Sequence, residues 1–122
     1  MITGYHHTQI SVPSGSAAEV RRFYGQVLDL TEVEVPAVLQ GRGLIWFQVG
    51  QLTLHVGVED GINRLATRTH LAYEADDIAE CRRRLSGLGI ELVPQPKLAG
   101  FDRFHCHDPF GNRIEIIGRS ET

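Results

Sequence analysis

Two cysteines, Cys81 and Cys106, are too few for a disulfide scaffold, and their spacing matches no zinc motif. They read as reduced thiols in a cytoplasmic protein. No apolar run approaches the ~20 residues of a membrane helix. Met1-Ile2-Thr3-Gly4 lacks the basic start and apolar stretch of a signal peptide. Positive charge is not in excess either. The formal net charge is −3, which removes the electrostatic case for nucleic acid or an anionic membrane. What remains is an ordinary globular composition of 122 residues, 42% hydrophobic and 22% charged. That length predicts one domain, 1–122, able to bury roughly two-thirds of its unfolded surface.

The most informative stretch is His105–Ile117. Asp108-Pro109-Phe110-Gly111-Asn112 is turn chemistry, with proline presetting φ and glycine and asparagine accepting positive φ. The flanks alternate as strands. Ile114 and Ile116 point one way; Arg113, Glu115 and Ile117 point the other. Glu115 is thus a carboxylate in the middle of an apolar strand, and an unpaired buried charge is costly. It needs a cation, which Arg113, Arg103 or a metal can supply.

His6 to Val12 alternates, with Thr8, Ile10 and Val12 on one face and His7, Gln9 and Ser11 on the other. Ser16-Ala17-Ala18-Glu19 has the form of a capping box, and Val20, Phe23, Tyr24, Val27 and Leu28 follow at helical spacing, so a helix is expected over Ser16–Leu28. Strands are expected over Glu32–Val35, Leu44–Val49 and Leu52–Val58, the last two joined as a hairpin at Gly50-Gln51. Ala37–Gly43 reads as loop and Glu59–Arg68 as linker. The order then repeats. Thr69–Ala75 is strand-like, Asp77 to Glu80 is a second capping box with Gly89 at the far end of its helix, Glu91–Val93 is a strand ended by Pro94, and the last hairpin is Phe101–His107 with Arg113–Ile117. The chain is therefore two modules, 5–59 and 69–118, of equal order: strand, helix, three strands. A repeat of this kind is a signal at the level of the fold.

Two such modules resemble the vicinal oxygen chelate superfamily of glyoxalase I, extradiol dioxygenases, fosfomycin-resistance thiol transferases, methylmalonyl-CoA epimerase and bleomycin-binding proteins. The segments that carry the resemblance are HHTQISV, RRFYGQVLDL, THLAYEADD and DPFGNRIEII. It implies an α+β fold of two βαβββ modules whose curled mixed sheets surround a concave cavity. It also implies metal ligands at His7, His70 and Glu115. The strand patterns agree, since His7, His70 and Glu115 each lie opposite the residues expected to pack under the helices. Two imidazoles and a carboxylate suit divalent Fe, Mn, Ni, Co or Zn and leave coordination positions open. The competing reading of His6-His7 is a solvated pair near the terminus.

Other polar residues share these faces. Gln51, Thr53 and His55 lie on one side of their strand, and Gln51 or His55 is a candidate fourth ligand. His55 is equally a candidate acid/base group or a cavity wall. His105, ten positions before Glu115, stands where extradiol dioxygenases resemble it with a tyrosine, and is a second acid/base candidate. Cys106 faces the core. Trp46, Phe47, Phe101 and Phe104 supply apolar wall or core, and Arg103 is placed to reach an anionic substrate group. Two functions follow. One is a metal-dependent enzyme of the glyoxalase/dioxygenase type, a lyase, isomerase, thiol transferase or dioxygenase, in which a divalent ion acts as Lewis acid on neighbouring oxygens of a small-molecule substrate. The other is a metal-free bleomycin-type binding or resistance protein. The resemblance further implies a homodimer.

Overall fold

The structure, a computed structural model, describes residues 1–120. The chain divides into two compact units, Met1–Ile62 and one that begins at Asn63. In the first, β1 (His7–Val12) leads into α1 (Ala17–Val20), which continues as a π-helical stretch, Arg21–Val27. Then come β2 (Thr31–Val33), β3 (Ile45–Val49) and β4 (Leu52–Val58). The sheet order is β1-β4-β3-β2, with β1 parallel to β4 and the other pairs antiparallel. The second unit has the same plan: β5 (His70–Glu74), α2 (Ile78–Gly87), β6 (Val93–Pro94), β7 (Phe101–His107) and β8 (Arg113–Arg119), in the order β5-β8-β7-β6. This is the α+β pair of strand-helix-three-strand modules. Among the described residues no helix is long and apolar enough to cross a membrane.

Each unit has its own core, set by strand alternation. In the first, Ile45 and Phe47 of β3 and Leu54 and Val56 of β4 are buried together with Val20, Phe23, Tyr24 and Val27 of the helix. In the second, Ile114 and Ile116 of β8 and Phe104 and Cys106 of β7 are buried with Ile78 and Leu85 of α2. The opposite faces carry the polar residues: His7, Gln9, Thr53 and His55 in one unit, His70, His105 and Glu115 in the other. Helices therefore cover one face of each sheet, and the chemistry-bearing side chains are left on the other.

Local details depart from expectation where side chains find other partners. Ser16 makes no side-chain cap and sits at φ −99°, ψ 6°, off the extended region a cap prefers. Glu19 does not reach back to it, because its carboxylate pairs with Arg22 at 2.8 Å. The helix then widens, with Leu28 N–H donating to Phe23 O five residues back. The second box does form a cap: Glu80 N–H donates to the Asp77 carboxylate at 3.0 Å. That helix closes with Gly89 at φ 82° and Ile90 N–H on Leu85 O, as a left-handed C-terminal cap requires.

Two strands are displaced. β2 stops at Val33, because the Val35 carbonyl accepts from the Gln40 side chain instead of from β3. Pro94 lies inside β6 and pairs with Phe104, while Glu91 and Leu92 fall outside. β6 is the sheet edge, where a residue without an N–H is tolerated. The segments read as loop and linker each hold one short 3₁₀ turn, Ala37–Leu39 and Arg64–Ala66.

Candidate metal centre

The last hairpin sets the geometry of the second unit. Asp108 closes its turn, its carboxylate accepting from the backbone N–H of Phe110 and Asn112. With that turn fixed, His105 faces Glu115 across the strands, and His107 faces Arg113. On the other side of β8, β5 runs parallel and brings His70 beside Arg113 and Ala72 beside Glu115. His70, His105 and Glu115 each offer one ligand atom, and among the described residues these atoms lie within 4.8 Å of one another. His105 Nε2 stands 2.9 Å and His70 Nε2 3.2 Å from the same oxygen, Glu115 Oε1.

The donor set suits a divalent cation, and the far side of the His70 ring shows why. His70 Nδ1 lies 3.0 Å from the Arg68 carbonyl oxygen. A carbonyl only accepts, so Nδ1 carries a hydrogen and Nε2 is left facing the carboxylate oxygen. With nothing on Nε2 two lone pairs would meet there, so the contact calls for a proton or a metal ion between them. A backbone carbonyl holding the remote nitrogen is also how metal-binding histidines are oriented.

Glu115 is buried, and burial pushes its pKa up. The His105 hydrogen bond and the charges of Arg103, His105 and His70 outweigh that push, so the group lies below the ordinary carboxylate range. Arg103 NH1 is 3.3 Å from Glu115 Oε1, and its Nε donates to the Pro96 carbonyl at 2.9 Å. Without an ion, Glu115 is therefore compensated by protein cations.

A second arrangement lies in the first unit. Trp46 faces His55 across β3 and β4, and His7 lies on the next strand, β1. The Trp46 and His55 rings stack at 3.7 Å with planes parallel, and His55 and His7 stack at 4.1 Å. His55 Nε2 is 3.0 Å from Thr53 Oγ1. Burial pushes the His55 pKa down, and the nearby His7 and His6 add to that, so the ring stays neutral at pH 7. The Trp46 indole N–H is buried with no hydrogen-bond partner. Gln51 is exposed in the β3-β4 turn, off the strand that carries His55.

The family model of the Glyoxalase/Bleomycin resistance protein/Dioxygenase superfamily matches residues 4–116. The chain belongs to this superfamily. A glyoxalase family protein of known structure from Bacillus anthracis is 36% identical to this superfamily member, with a TM-score of 0.91 over 98% of each chain. The fosfomycin resistance protein FosX from Listeria monocytogenes, complexed with Mn(II) and sulfate, is 18% identical, with a TM-score of 0.77 over 99% of this chain and 94% of its own. A FosX variant from the same organism, complexed with Mn(II) and 1S,2S-dihydroxypropylphosphonic acid, is 20% identical, with a TM-score of 0.75 over 95% and 90%. At these identities the FosX likeness is one of fold. No curated protein matches the chain.

Of the residues singled out from the sequence, His70, His105 and Glu115 meet in the second unit, and His7 and His55 meet in the first. The closeness of His105 to Glu115 was available in the sequence. A five-residue turn at 108–112 pairs 107 with 113 and hence 105 with 115. The same counting from Gly50-Gln51 sets Trp46 against His55. The Arg68 carbonyl behind His70 has no such signal, because it depends on the backbone path before β5.

Proposed function

We propose that this protein is a divalent-metal enzyme acting on a small molecule that presents two neighbouring oxygens. His70 and Glu115 hold the ion in this reading, and His7 is the third ligand. The observation that carries it is the His70 ring, locked by the Arg68 carbonyl with its Nε2 turned to the Glu115 carboxylate. When bound, the ion supplies Lewis-acid stabilisation of negative charge developing on a substrate oxygen. His105, with Nε2 on Glu115, is the candidate proton carrier beside the ion. His55, kept neutral by burial, accepts one. The Mn(II) seen in the FosX structures makes Mn(II) the first ion to try, ahead of Fe(II), Ni(II), Co(II) and Zn(II). A homodimer in the cytoplasm, with the modules acting as one functional domain, is part of the same reading.

A second ligand set has an observation of its own. His105 lies as near Glu115 as His70 does and completes the cluster without His7. Metal titration of two variants separates the sets. With His7 as ligand, His7→Ala loses roughly a hundredfold or more in Mn(II) affinity, the upper end of what even an outer partner costs, and His105→Ala loses less. The reverse order assigns the ligand to His105. Wild-type protein that retains no divalent ion, yet binds a bleomycin-type drug tightly, overturns the enzyme reading. Turnover of methylglyoxal hemithioacetal against catechol, with each metal in turn, sorts lyase or isomerase from dioxygenase.

A further inference from the structure

The polar face of β8 carries more positive charge than its one buried carboxylate needs. Arg113 precedes Glu115 by two residues on the same face, with His70 and His107 as its cross-strand neighbours. Its Nε is buried and has no hydrogen-bond partner. A desolvated guanidinium donor without an acceptor is unfavourable, and native proteins rarely leave one so. On the other side, Arg103 pairs in register with Ile117, and its guanidinium lies against Glu115, anchored through Nε on the Pro96 carbonyl. Among the described residues the remaining acid on this face is Glu74, exposed at the end of β5 in register with Ile117.

We infer that the substrate carries an anionic oxyacid group, carboxylate or phosphonate, and that Arg113 and Arg103 hold it on either side of Glu115. The inference rests on the metal reading above. A divalent ion on Glu115 already cancels that carboxylate and leaves both guanidiniums uncompensated. Such a face binds poorly to a neutral diol and well to a diol or hydroxy compound that brings its own negative charge. Arg113 Nε is closed off by the protein, so the hydrogen bonds to the ligand come from the terminal nitrogens of its guanidinium. A planar guanidinium donates two parallel hydrogen bonds to a carboxylate or a phosphonate, which a lysine cannot do. Arg113 and Arg103 thus determine specificity; neither moves a proton.

The test uses the full chain, loaded with Mn(II) and also metal-free, with methylphosphonate and acetate as separate probes. Mn(II) affinity is measured independently on every variant. Methylphosphonate or acetate is expected to bind the loaded wild type, and whichever binds more tightly names the oxyacid. Arg113→Gln weakens that binding roughly tenfold or more, as loss of a charge-assisted hydrogen bond implies. Arg103→Gln does the same, Arg113→Lys recovers part of the loss, and Mn(II) affinity of Arg113→Gln stays within a few-fold of wild type. Probe binding by the wild type also falls as salt rises, more steeply than in the variants. Equal probe affinity in wild type and Arg113→Gln, with Mn(II) bound in both, overturns the inference and spares the metal reading. Wild type that takes no Mn(II) overturns the metal reading, and the metal-free arm still decides whether the arginines hold an anion. No binding of either probe in either arm ends the inference.

Discussion

Cys106 shows how far a single residue's environment sets its chemistry. It alternates with His105 and His107 on β7, and so faces the core while they face the site. Burial pushes its thiol up to about 12. Cys81, half-buried on α2, is also raised by burial. Both therefore stay protonated at pH 8 in the folded chain. Thiol titration of the native protein at that pH should give slow, partial modification of Cys81 and none of Cys106, with both reacting at once in denaturant. Fast native labelling of Cys106 would contradict its placement. The sign of the linkage follows. The unfolded thiol loses its proton near 8.5 and the folded one near 12. The unfolded chain then binds fewer protons in between, so stability is full below the ordinary thiol range and falls as pH rises toward 12. Cys106→Ala should flatten that fall by about 1 kcal/mol per pH unit, read from denaturation at pH 9 and pH 10.

Elements were legible in the sequence where alternation and turn chemistry agreed. β4 and β7 have the limits that Leu52–Val58 and Phe101–His107 predicted, because each is bounded by a turn and packs one face on a helix. Legibility ended where a side chain chose between partners. Ser16 and Asp77 head equivalent motifs, yet only Asp77 caps its helix. Asp77→Ala should cost about 1 kcal/mol in chemical denaturation, and Ser16→Ala a few tenths at most; equal costs would refute the distinction. Gly118 is another element-level constraint with no sequence signature. A Cβ there would meet the Ala75 carbonyl oxygen and Ile78 Cβ at 2.9 Å each, so β8 can pass beneath α2 only with glycine. Gly118→Ala should destabilise by about 2 kcal/mol, the usual cost of overpacking, while a surface change such as Gly87→Ala, whose Cβ meets nothing within 4 Å, does not. The Arg82–Asp102 pair links α2 to β7 at 3.0 Å. It is partly exposed, so Asp102→Asn should cost less than 1 kcal/mol. Arg82 holds the Asp102 pKa down, so that contribution is present above the ordinary carboxylate range and disappears as pH falls through the lowered value.

At the level of the whole molecule, the repeat made the fold readable, because one module of strand, helix and three strands occurs twice and each copy buries its own core. The site was readable only in part. The facing of His105 and Glu115 follows from the register of the last hairpin, whereas His7 and His70 entered as ligands through the family resemblance. Metal-linked stability distinguishes the two ligand sets without an assay for turnover. An ion that binds the native chain alone stabilises it by about 2.7 kcal/mol at a hundredfold excess over its dissociation constant. For a unit of this size that corresponds to a rise in Tm of roughly 10 °C, reversed by chelator and absent in Glu115→Gln. Hydrogen exchange then locates the effect. Slowing of amides in β5, β7 and β8 alone is expected if His105 completes the ligand set. Slowing in β1 and β4 as well is expected if His7 does. A Tm that also rises with protein concentration identifies the assembly as a dimer, and one that is independent of concentration while the metal shift persists assigns the binding to the monomer.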